Sequence, residues 1–135
     1  MRLKVPVSSR WAGLLMGLAA LMHAVIALDL VFHFFPDTPE FRALWSVGLY
    51  TKALWLAFVA LGFGTAILLY RSPVAGFLLS MVATACLYFA SIGLWHGIKG
   101  GFWITAIATL LAALGAWRAK RSNNSFKPKP LRGSA

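Results

Sequence analysis

Four apolar stretches, each long enough to cross a bilayer, restrict what this chain can fold into more than any other feature. They run from Trp11 to Phe35, from residue 49 to Tyr70 with an apolar core starting at Ala53, from Val74 to Trp95 and from Phe102 to Trp117. Hydrocarbon about 30 Å thick is crossed by about 20 apolar residues in an α-helix, and within lipid a helix pairs its backbone N–H and C=O groups inside one segment. Composition agrees, at 60% apolar and 12% charged against roughly 45–50% and about 25% in a soluble domain. The expectation is an all-α, polytopic integral membrane protein. A four-helix transmembrane bundle with short loops occupies 11–117 (spans 11–35, 49–70, 74–95 and 102–117), between an N-terminal segment 1–10 and a basic tail 118–135.

Helix punctuation supports four spans. Ser8 or Ser9 is placed to cap the first helix, and Pro36 is placed to end it, since proline lacks a backbone donor. In "DTPEF", Thr38 reads as an N-cap, Pro39 as the first helical residue and Glu40 as an acid suited to a helix N-terminus. "RSP" repeats the device with Ser72 and Pro73, and "HGIKGG" offers glycines for a tight turn before the fourth span. An unbroken second helix from Pro39 to Tyr70 would be 32 residues, about 48 Å at 1.5 Å per residue. That overshoots a bilayer, so its first part is expected to emerge, tilt, or bend near Gly48 and lie at the interface.

The +10 net charge is distributed unevenly. Arg2, Lys4, Arg10, Arg71, Arg118, Lys120, Arg121, Lys127, Lys129 and Arg132 fall on one side of the spans, and only Arg42, Lys52 and Lys99 on the other. Lysine and arginine concentrate on cytoplasmic flanks, which puts both termini in the cytoplasm of a bacterial-type inner membrane. Trp11, Tyr70 and Trp117 then mark the inner boundary, Trp45, Trp95 and Trp103 the outer one, and Asp29, Asp37 and Glu40 are all on the outer side. A signal peptide cleaved after "VIA" (Val25 to Ala27) is the competing account. It is disfavoured because the apolar run continues through "LVFHFF". Residues 118–135 are polar, basic and without apolar periodicity, which predicts disorder and loose contact with anionic lipid. The bilayer, and no nucleic acid, is the expected partner of these charges.

Lipid tails are as apolar as leucine, so helices associate in membranes where small residues let backbones approach. Gly13 and Gly17; Ala60 and Gly64; Gly76, Ser80 and Thr84; and Ala108, Ala112 and Ala116 recur at four-residue spacing. They predict tight packing within one bundle, with a homo-oligomer face as the other use. Cys86, the one cysteine, allows no internal disulfide and reads as a small buried hydrophobe.

The polar residues inside the spans are the candidates for chemistry. Asp29 and His33 are four apart and share a helix face one turn from each other. Lys52 lies eighteen residues before Tyr70, about 27 Å above the inner boundary, at the level of Asp29. The expectation is an Asp29–Lys52 ion pair with His33 above it. His96 shares this level, so the candidate polar cluster is Asp29, His33, Lys52 and His96; two imidazoles on neighbouring helices could hold a metal or haem iron. His23 stands near mid-membrane, where ionisable groups are functional suspects. A hydrogen bond to a carbonyl or hydroxyl on another helix is its expected role, with Thr84, Tyr88 and Thr109 as possible partners.

No serine lies in "GxSxG", and "HExxH", "CxxCH" and a phosphate loop are all missing from the sequence. Catalytic residues, cofactor and metal are accordingly not assigned, and enzyme activity is unmotivated. An accessory or interaction protein, with a membrane-protein partner or a second copy, is the most economical function. A small transporter or proton-coupled carrier is the runner-up, and a redox protein using His33 and His96 the third. Four-span size is similar to that of small multidrug exporters, but the acid that such proteins carry deep in the first helix is replaced here by His23.

Overall fold

A computed structural model describes residues 5–125. Among them are five helices: α1 (Val7–Phe32), α2 (Pro39–Trp45), α3 (Leu49–Arg71), α4 (Pro73–Trp95) and α5 (Gly100–Ser125). All but α2 are long and apolar enough to cross a membrane. The four run alternately up and down, and α1 packs on α3 and α5 while α4 packs on the same two neighbours, closing a four-helix ring.

Small residues line much of the ring's interior, and many large apolar ones face outward. Ala12, Ala19, Ala20, Ala27, Ala83, Ala90, Ala108, Ala112 and Ala116 are buried, while Leu18, Leu28, Ile67, Leu78, Phe89 and Leu110 are among the large side chains left exposed. Trp55, Phe58, Met16, Leu69 and Leu87 are buried as well, and the alanines let the four backbones close around them, as helix association in lipid requires. A Cβ at Gly62 would stand 2.8 Å from that of Ala20, and one at Gly76 2.8 Å from the backbone nitrogen of Leu69. A Cβ at Gly115 would collide with the Ser9 hydroxyl, and one at Gly13 would stand 2.8 Å from the Tyr70 ring. Of the small-residue stripes, Gly13, Gly76, Ser80, Ala108, Ala112 and Ala116 are buried within the bundle, whereas Ala60 is exposed.

Several boundaries depart from the sequence expectations. Pro6, and neither Ser8 nor Ser9, occupies the N-cap of α1, which ends at Phe32 before Pro36 is reached because His33 turns left-handed at φ 49°. The long second helix does break near Gly48, as expected: Thr38 caps α2 by accepting from the Phe41 N–H, and Gly48, extended at φ −60° and ψ 156°, restarts the chain as α3. Ser72 and Pro73 open α4, although the Ser72 side chain makes no capping bond. After α4 the left-handed residue is His96 at φ 53°; no described glycine has positive φ. The tail expected to be disordered from residue 118 is helical through Ser125, and its last ten residues lie outside the described part.

The two ends of the ring differ in charge. Arg10, Arg71, Arg118, Lys120 and Arg121 gather where α1 and α4 begin and α3 and α5 end; the Tyr70 hydroxyl ties this end together by donating to the Arg10 carbonyl at 3.1 Å. Asp29, Asp37 and Glu40 belong to the opposite end, which α2 covers. Leu44 of α2 is buried there against Ala27, Trp55, Ala90 and Leu94, with Phe41 and Trp95 beside them.

Candidate functional site

Asp29 occupies the last turn of α1 and is 1% exposed. Its carboxylate accepts from the Phe35 N–H at 2.7 Å and from the Trp45 indole N–H at 3.2 Å. The first bond folds the chain back after His33, and the second clamps α2 onto α1. A buried carboxylate is costly unless donors satisfy it, and here both donors come from the segment the carboxylate holds in place.

The expected Asp29–Lys52 ion pair does not form. Lys52 points its ammonium at the backbone carbonyl of Trp45, 2.8 Å away, because the break at Gly48 lifts α2 between the two charges. Trp45 therefore joins them indirectly, its side chain bound to Asp29 and its carbonyl to Lys52. His33 completes the group with its ring edge-on to Trp45, centroids 4.5 Å apart. Among the described residues the one ion pair is Arg42–Asp37, at 2.6 Å and about two-thirds exposed on both sides, 65% and 64%. Exposed pairs of this kind contribute little.

His33 and His96 occupy equivalent places in the fold. Each closes a transmembrane helix in the left-handed conformation, its N–H donating to the carbonyl four residues back, Asp29 at 2.9 Å and Ile92 at 3.0 Å. No hydrogen bond or ring contact joins the two imidazoles among the described residues, and no group of three or more His, Cys, Asp or Glu side chains converges there.

His23 is hydrogen-bonded across helices, but Thr84, Tyr88 and Thr109 are not its partners. Trp55 of α3 donates its indole N–H to Nδ1 at 3.0 Å. An indole nitrogen only donates, so Nδ1 is the bare nitrogen of the ring. The imidazole sits among Trp55, Phe58 and Trp95, with centroids 6.3, 5.2 and 6.0 Å away. Gly101 of α5 makes room on the remaining side, where a Cβ would stand 2.8 Å from Nε2. Thr84 and Thr109 instead bond to each other at 2.9 Å, joining α4 to α5. Replacing either threonine with valine strands the other hydroxyl and costs about 1 kcal/mol, while the double variant costs no more than a single one. Unfolding in mixed micelles measures the difference.

Ala27, Leu44, Trp55 and Trp95 fill the level between His23 and Asp29. The two ionisable groups are thus separated by an apolar layer, and no hydrogen-bonded path joins them among the described residues. The arrangement is that of a latch over a plugged bundle. Asp29→Ala leaves two donors unpaired and should destabilise by about 2–3 kcal/mol. In double-mutant cycles Asp29→Asn couples strongly to Trp45→Phe and weakly to Lys52→Met; the reverse order would refute the geometry of the latch.

Trp45 and Trp55 were the residues that sequence reasoning missed as polar partners. The available signal was the indole N–H, which needs an acceptor when buried. The chain matches no protein-family model, no curated protein and no solved structure.

Proposed function

We propose that this chain is an accessory protein of a bacterial-type inner membrane, with both termini cytoplasmic, that acts through its outward helix faces on another membrane protein or on a second copy of itself. The observation that supports this best is the closed interior. Alanines and glycines bring the helices together, His23 and Asp29 are each held by groups of the same chain, and an apolar layer lies between them. A carrier needs a polar route and a group free for its cargo. A partner protein needs neither, and the large exposed side chains on all four spans supply contact area without disturbing the interior. The reading invokes no cofactor and no catalytic residue.

Photo-crosslinking side chains placed at Leu18, Ile67, Leu78 and Leu110, one on each span, test this in native membranes. A discrete protein adduct from one or two of these faces is expected. Lipid adducts alone at all four, together with proton flux in proteoliposomes that Asp29→Asn or His23→Ala abolishes, would instead establish the carrier. Reporter fusions at both termini test sidedness, with an external C-terminus overturning it.

A further inference from the structure

At the basic end of the bundle a cleft of about 330 Å³ opens between the α3–α4 turn and the last turns of α5. Arg71, Pro73 and Val74 line one wall, and Lys120, Asn123 and Asn124 the other. A guanidinium, an ammonium and two amides supply hydrogen-bond donors from two separate elements. The first turn of α4, whose N-cap side chain makes no bond to it, adds uncapped N–H groups on the same wall.

No side chain of this protein can neutralise that wall. The whole sequence has three acidic residues, and Asp29, Asp37 and Glu40 all belong to the end covered by α2. A counter-charge for Arg71 and Lys120 is therefore supplied by no acidic side chain of this sequence, and both cations are exposed to an external anion. The level of the cleft identifies its source. Tyr70 immediately precedes Arg71 and Trp117 immediately precedes Arg118, and these aromatics mark headgroup depth. Arg121 is drawn off to the Trp117 ring, 5.2 Å from its centroid, and Arg71 and Lys120 are the cations that line the cleft among the described residues.

We propose that this cleft binds the phosphate of an anionic phospholipid from the adjoining leaflet. Arg71 and Lys120 balance the phosphate charge, Asn123 and Asn124 donate to its ester oxygens, and Pro73, Val74 and Ala119 lie along the apolar part of the lipid. Donors brought to one cleft from two separate elements, the α3–α4 turn and the end of α5, distinguish such a site from the diffuse attraction of a basic surface.

The test is lipid titration of the full-length protein in detergent, read by native mass spectrometry, with phosphatidylglycerol and phosphatidylcholine as probes. Phosphatidylglycerol is expected to bind in preference, and R71Q/K120Q to weaken it about 10-fold or more. R118Q/R121Q removes the same charge outside the cleft and should change binding less than about 2-fold. Equal loss in the two double variants, or equal binding of the two lipids, would overturn the proposal. A third arm adds inorganic phosphate: phosphatidylglycerol should stay bound, and its displacement would overturn the lipid as the source. Melting in phosphatidylcholine should match wild type for both variants, and a lower midpoint confined to R71Q/K120Q would also overturn it, by making the pair structural.

Discussion

Replacing Trp55 with alanine should destabilise the bundle by about 3–5 kcal/mol, the range for truncating a large buried aromatic. Trp55 is wholly buried, packs in the cluster beneath α2 and donates to His23. The substitution therefore opens a cavity and removes a hydrogen bond at once. Trp55→Phe separates the two effects. It keeps most of the volume but leaves Nδ1 of His23 without its donor, so about 1–3 kcal/mol of the loss should remain. Reversible unfolding in mixed micelles measures both. Wild-type stability for Trp55→Ala would mean that the His23 cage is not a packed feature of the protein in lipid.

The second large effect comes from adding atoms. Gly115→Val would drive a side chain into the Ser9 hydroxyl and to within 3.1 Å of the Ser9 backbone nitrogen. The hydroxyl can rotate away, but the backbone of α1 cannot move without parting from α5. Overpacking of this kind costs about 1–3 kcal/mol, occasionally more, and the upper end is expected because backbone is struck. Gly97→Ala is the control, since nothing lies within 4 Å of a Cβ there. Equal melting of Gly115→Val and Gly97→Ala would contradict the α1–α5 contact.

Much of this architecture was legible in the sequence because lipid leaves few alternatives. Length and apolarity specify four spans, and the Pro39 and Pro73 signals place two helix starts correctly. The candidate site was legible by residue and less so by partner. Asp29 and Lys52 both reach Trp45, yet depth alone does not reveal that Trp45 stands between them. His23 was recognisable as a group in need of an interhelical bond. Its donor could have been found by depth as well: His23 is twelve residues from Trp11 and Trp55 fifteen from Tyr70, about 18 and 22 Å at helical rise. Hydroxyls are habitual glue between helices, but an indole N–H is an equally available donor at that depth. The end of α4 at Trp95 was legible, but the left-handed residues that close α1 and α4, His33 and His96, were not, since glycine is the residue that usually fills that position. Extension of α5 through Ser125 was missed for a different reason. Its final turns are polar all round, and a helix already nucleated in the membrane continues without needing an apolar face.

The many bulky side chains on the outside of the ring bear on how this protein comes apart. Many of its bulky groups already meet lipid in the assembled state and each span keeps its own backbone bonds, so separating the spans costs chiefly the packing of Trp55 and Phe58 and the side-chain bonds of His23, Asp29 and the Thr84–Thr109 pair. Denaturation inside a bilayer is then a dispersal of intact rods. Far-ultraviolet circular dichroism would hardly register it, whereas indole fluorescence, changing as Trp55 leaves the imidazole, would follow the whole transition.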